Sequence, residues 1–389
     1  MKLEDILAAP TEQRMKRDEY LILPFEETKV QFSVETQQGF LYLLFINELE
    51  GRFSTYSAGS YIIKRDLSDG QYIQIKVFYK TDPGSFLRIF PQDDRAKMDV
   101  FLQGMELYSG INLPLPFQDY FTEPFESLVQ ATGNMVDWEL LFPRYNPRIF
   151  LQFVSFLEVL RERLPLIPDA EDGALDSRGQ WVSIETGAEP EIKGLNCSGF
   201  AKWIVDGFYE PLKGEYLDIE QLKTRHLEER GNRWSRRREF ERDPYFGLDW
   251  TRNLAAALYE ASTGLPGEYK KYDLTASAFA VYREDVGFVV EDLPLVLYER
   301  AVLAPGKFYL GSVNGIFGDD PALRQHYHVA VFFPLLLPDG RVRIYVFERG
   351  RETRLEDFTR RYAGESVHLV ELEALDNFRP PQLPLLHVE

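Results

Sequence analysis

The feature that most constrains this chain is the punctuation of its first ninety or so residues. Thr28-Lys29-Val30-Gln31-Phe32-Ser33-Val34 alternates polar and apolar, Gln37-Gln38-Gly39 interrupts, and Phe40 to Ile46 is a second apolar run. Beyond Gly59-Ser60 the pattern returns as Tyr61-Ile62-Ile63, Gln71 to Tyr79 and Phe86 to Phe90, separated by Ser68-Asp69-Gly70 and Asp82-Pro83-Gly84. Period-two alternation between turn residues at such intervals predicts an antiparallel β-sandwich or barrel, assigned to residues 1–112. Tyr42, Tyr61, Tyr72 and Tyr79 read first as ordinary strand residues and second as contacts to a polymer.

The pattern then becomes helical. Asn146-Pro147 supplies a capping side chain and a first-turn proline, and Phe150, Phe153, Val154, Leu157 and Leu160 form one stripe behind it. This predicts a helix ending near Pro165 and Pro168, in a helical connecting region over 113–175. Asp169 to Glu191 reads as an exposed loop. Further helices are expected from Asp218 to Glu229, before Gly231, and from Trp250 to Ser262, between Asp249 and Gly264. His226 lies in the first of these, as a packing or solvent-facing residue.

Cys197 is the only cysteine, so it cannot close an intramolecular disulfide. Phe200, Trp203, Ile204, Val205 and Phe208 follow at helical spacing, which puts Cys197 in the first turn. The free N–H groups and positive dipole end there favour a thiolate. Asn196 and Ser198 can cap that turn or meet a substrate, and Gly199 permits close backbone approach. From position alone, core packing and reactivity are equally open.

A thiol nucleophile needs a base, and there are five histidines: His226, His326, His328, His368 and His387. His328 opens the apolar run His328-Val329-Ala330-Val331-Phe332-Phe333. Pro338-Asp339-Gly340 then turns the chain into Arg341 to Glu348, which predicts a hairpin. Antiparallel return brings Glu348 toward the level of His328, as the group that orients the imidazole. A metal site built on His326, His328 and Glu348 lacks further ligand clusters, so neither metal nor cofactor is assigned.

Asn196-Cys197-Ser198-Gly199-Phe200 resembles the Asp-Cys-Ser-Gly-Phe motif of the NlpC/P60 cysteine peptidases, and His328-Val329-Ala330-Val331 resembles their histidine strand. Leu303-Ala304-Pro305-Gly306-Lys307-Phe308-Tyr309-Leu310 is similar to the Pro-Gly segment that precedes that strand. The order of the three also agrees. The resemblance implies an α+β chain whose second part, residues 176–389, is a papain-like catalytic domain acting on cell-wall peptides. This chain has Asn196 and Lys307 where the family has aspartates, and Glu348 in a place more often held by histidine, asparagine or glutamine. Its cysteine and histidine are 131 positions apart (328 minus 197), so a helical insertion is expected at about 210–298.

With 389 residues and 44% hydrophobic content, the chain can bury more than one core. A net charge of −18 argues against nucleic acid as a partner. The basic run Arg233 to Arg238 is interleaved with acids and reads as a solvated face. No apolar stretch is long enough for a membrane span, and Met1 to Pro10 has no signal core. The chain is expected outside the cytoplasm if a signal has been removed, and in the cytoplasm otherwise.

Three functions are compatible with these residues. The first is a thiol hydrolase with Cys197 as nucleophile, His328 as base and Glu348 as orienting group, cleaving an amide bond in a peptidoglycan peptide. The second is a thiol acyltransferase using the same pair. The third is a non-catalytic descendant that binds a peptide or partner. The sequence leaves the oligomeric state open.

Overall fold

The computed structural model describes residues 21–25, 28–226, 243–318 and 322–384. The chain forms two compact units, Met1–Phe142 and Pro143–Glu389. The basic run at Arg233 to Arg238, His387 and the first ten residues lie outside the described residues.

The first unit is one antiparallel sheet of nine strands: β1 (Leu21–Phe25), β2 (Thr28–Gln37), β3 (Phe40–Leu49), β4 (Arg52–Phe53), β5 (Tyr61–Asp66), β6 (Tyr72–Phe78), β7 (Phe86–Gln92), β8 (Arg95–Leu102) and β9 (Met105–Leu113). Strands follow one another in chain order, with β4 pairing only β3. The register aligns Leu43, Ile63, Ile75, Ile89, Met98 and Ile111 in one row on the covered face. Tyr42, Lys64 and Gln74 alternate onto the other face.

The expected antiparallel β-rich domain is therefore present. It is a single continuous sheet whose ends, β1 and β9, do not pair with each other among the described residues. A 3-10 helix (Phe117–Phe121), α1 (Phe125–Thr132) and α2 (Trp138–Leu141) belong to this unit. Leu128, Leu140 and Leu141 are buried, and Phe125, Trp138 and Phe142 make a ring cluster. The region expected as a connector over 113–175 thus divides at Phe142.

In the second unit, α3 (Pro147–Arg163) starts where predicted, with Asn146 Oδ1 accepting from the Arg148 and Ile149 N–H groups. A short pair, β10 (Ala174–Leu175) and β11 (Trp181–Val182), precedes α4 (Cys197–Lys213). Next come α5 (Ile219–Leu222), α6 (Phe246–Thr263), β12 (Phe288–Val289), α7 (Leu293–Leu303), β13 (Lys307–Phe317), β14 (Leu323–Leu336), β15 (Val342–Glu348), β16 (Arg351–Thr353), α8 (Leu355–Arg361) and β17 (Ser366–Glu373). The sheet order is β12-β17-β13-β14-β15-β16, antiparallel throughout.

Alternation along β14 explains the layers. Val329, Val331 and Phe333 share a core with α3, α4 and α6, while Ala330 and Phe332 share one with α7 and Phe358 of α8. A strand covered on both faces is apolar at successive positions, which is why this segment lacks a polar alternation.

Three expectations change. Asp169 to Glu191, read as an exposed loop, carries β10 and β11 and buries Ala174, Leu175, Trp181, Val182 and Ile184. The helix from Asp218 runs only to Leu222, and 227–242 lie outside the described residues. The next helix begins at Phe246, with Asp249 inside it, where its carboxylate accepts from Tyr269 Oη at 2.5 Å. Within the stretch read as an insertion, 210–298, Trp250, Leu254 and Leu258 of α6 share a core with Phe200 and Ile204 of α4. No helix among the described residues is long and apolar enough to cross a membrane.

Candidate active site

Cys197 is the first residue of α4. Asn196 adopts an extended backbone, and its Oδ1 accepts the Gly199 N–H at 2.8 Å. Its carbonyl takes the Phe200 N–H at 2.8 Å. The N–H groups of Cys197 and Ser198 are the remaining donors of this first turn.

Small residues let the preceding loop lie directly against the helix. A Cβ on Gly199 would fall 2.0 Å from Gly173 O, and one on Gly173 would fall 2.2 Å from Gly194 O. Backbone bonds Leu195 N to Pro168 O (2.8 Å) and Asn196 N to Gly173 O (3.1 Å) fasten this contact. From α6, Trp250 Nε1 donates to Ser198 O at 3.0 Å. Asn196 and Ser198, expected at the substrate, are thus both engaged within the protein. Asn196 caps the helix and donates to Glu171 O at 3.4 Å, and Ser198 is buried, with its carbonyl taken by Trp250.

His328 is delivered by an irregularity in β14. Val313 pairs with His328 and Asn314 with His326, so Tyr327 is an extra residue, a β-bulge. In consequence Tyr327 and His328 both approach the Tyr362 ring, the latter stacked at 5.5 Å. His326 instead meets Ser312 Oγ at 2.9 Å, so the two histidines do not share a site. No cluster of metal-ligating side chains occurs among the described residues.

The hairpin return brings in Glu348. Val331 pairs with Phe347, and one further step sets Glu348 diagonally from His328. His328 Nε2 lies 2.8 Å from Glu348 Oε2. That bond leaves Nδ1 as the ring nitrogen available to Cys197, which lies near enough to the imidazole for each to shift the other's ionisation. The second Glu348 oxygen accepts from Thr353 Oγ1 at 2.8 Å and Arg361 Nη1 at 2.5 Å.

These contacts set the charges. Burial pushes the Cys197 thiol up, but His328, the Val329 backbone and the Ser198 hydroxyl together hold it below its ordinary value. Burial pushes His328 down, and Cys197 with Glu348 overcome that to raise it to about 9. Burial likewise opposes ionisation of Glu348, yet His328, Thr353 and Arg361 bring its carboxyl down to about 2. Each shift favours the charged form of its group relative to that group's ordinary value: thiolate at Cys197, imidazolium at His328 and carboxylate at Glu348.

Sequence reasoning did not find Thr353, Arg361 or Tyr362. An acid at the end of an apolar strand signals that a cation must meet it, but several arginines follow Glu348 and spacing does not choose among them. Arg349, next along, ties the same rim to the nucleophile's loop through Asp169 (2.8 Å) and Glu171 (3.1 Å).

His226 and His368 belong to structural contacts. His226 Nε2 lies 2.9 Å from Asn253 Oδ1, with its ring stacked on Tyr269 at 3.7 Å. His368 is fully buried beside Asp273 and Arg252.

A family model described as a domain of unknown function (DUF8515) matches residues 1–140. That segment contains the β-rich unit and none of the residues around Cys197. No curated protein and no solved structure matches the chain.

Proposed function

We propose that this chain is a thiol hydrolase that cleaves an amide bond through a thioester at Cys197. The observation that carries the reading is His328 held by Glu348, whose second carboxylate oxygen is fixed by Thr353 and Arg361, with the helix-terminal thiol of Cys197 beside the same imidazole. A lone structural cysteine has no need of an oriented imidazole. Still less does it need an ionised acid behind that imidazole.

Cys197 Sγ attacks the carbonyl carbon, and the Cys197 and Ser198 N–H groups receive the developing negative oxygen. The carbon–nitrogen bond breaks as His328 gives its proton to the leaving amine. Water then attacks the thioester, His328 takes its proton, and the acid product leaves as the sulfur is released. Glu348 stays ionised throughout and holds the imidazole by Nε2.

The resemblance of Asn196 to Phe200 and of His328 to Val331 to the NlpC/P60 peptidases supports a cell-wall peptide as substrate. Digestion of purified muropeptides by the wild type and by Cys197→Ala, read by mass spectrometry, tests this. Cleavage by the wild type alone is expected. Absence of cleavage by both proteins would overturn hydrolysis of this substrate and leave peptide binding as the better account.

A further inference from the structure

The first unit contains a cavity of about 320 Å³ that takes no part in the chemistry around Cys197. It opens on the covered face of the sheet, against Tyr61, Ile75 and Ile89, and is closed by Tyr120, Phe121 and Phe125. More than half of the residues lining it are aromatic, and Glu123 is the one that carries a charge. Its volume is at the small end of the range for ligand sites.

Its polar groups are unevenly satisfied. Tyr79 Oη donates to Phe101 O at 2.7 Å, and Tyr120 Oη accepts the Leu115 N–H at 3.2 Å. The Tyr61 ring stacks on Phe45 at 4.4 Å, but its hydroxyl has no hydrogen-bond partner among the described residues. Glu123 likewise has no ion-pair partner among them. Lys64, Lys76 and Arg88 cannot supply one, since the strand alternation sets them on the opposite face, over Phe40, Phe86 and Phe101.

We propose that this cavity binds a small organic cation, an ammonium group carried on a compact apolar body. Aromatic faces attract a cation through their quadrupole, most strongly where water is excluded, and an unpaired carboxylate beside them balances its charge. A purely apolar occupant would bury Glu123 and the Tyr61 hydroxyl without compensation. An anion would meet Glu123 in a lining that contains no basic residue. A sugar would find too few hydrogen-bonding side chains for its hydroxyls. All the lining residues except Phe142 fall within the segment matching the domain of unknown function, so the site belongs to that module.

The test compares benzyltrimethylammonium with its neutral isostere neopentylbenzene on the full chain, by ligand-observed NMR. The cation is expected to bind about 10-fold more tightly or better. Glu123→Gln should remove most of that preference and Glu123→Lys should abolish cation binding. Glu123 is only half-buried, and thermal melting matched to the wild type establishes that each variant is folded. Equal affinity for the two compounds, binding of neither, or cation binding indifferent to both substitutions would each overturn the proposal.

Discussion

Replacing Glu348 by glutamine keeps its shape and removes its charge, which isolates what the third residue does to the other two. The carboxyl is held down to about 2 against the cost of burial, so it is ionised at every pH at which Cys197 titrates. It therefore favours the imidazolium of His328, raised to about 9, and through it the thiolate. The sign follows directly. In the wild type the iodoacetamide alkylation midpoint should therefore lie below the ordinary thiol range. In Glu348→Gln the imidazolium loses its partner, and the alkylation midpoint should move up by about one unit, with a rate about 10-fold lower on the acid side. An unchanged midpoint would remove Glu348 from the relay. Cys197, His328 and Glu348 were each visible in the sequence because each is the scarce reactive type at the end of a recognisable element. Thr353 and Arg361 were not, since their role arises only when β16 and α8 fold back over the end of β15.

At the scale of elements, the strongest local signals were two: a capping asparagine before an apolar helix, and a Pro-Asp-Gly turn between two apolar strands. Both correspond to observed elements, α4 and the β14–β15 hairpin, because caps and turns are decided by a few adjacent residues. The bulge at Tyr327 had no such local marker. It depends on pairing with β13, a strand that begins more than fifteen residues earlier in the chain, and on Ser312 meeting His326. The early start of α6 was hidden for a related reason. Asp249 looks like a cap in isolation, but Tyr269 binds it from outside the helix. Gly199 is the residue at which element packing can be tested. An added methyl would sit 2.0 Å from a backbone carbonyl, which cannot rotate away like a side chain. Gly199→Ala should therefore lower the unfolding free energy by about 2 kcal/mol, as overpacking does, and slow alkylation of Cys197 by displacing the loop before α4. Urea unfolding with wild-type stability would show that the contact yields more easily than the geometry implies.

For the whole molecule, the decisive question is where one folding unit stops. Sequence pattern put the boundary after residue 112, where strand alternation ends, and treated the helices beyond as a connector. Such short helices carry no mark of which core they join, since Leu128, Leu140 and Leu141 would suit either. The boundary at Phe142 keeps those helices with the unit that buries them. Beyond it, every member of the two cores around the β13–β14 strands is drawn from Ile149 onward, and so is every residue of the Cys197 relay. A chain of residues 143–389 should consequently fold by itself, unfold cooperatively in urea, and show the alkylation profile of the full chain. A chain of 113–389 should be worse behaved, because it carries the 3-10 helix, α1 and α2 without the sheet of their own unit and exposes their leucines. Loss of cooperative unfolding in the 143–389 chain, or an alkylation midpoint different from that of the full chain, would mean that the second unit needs the first to complete its site.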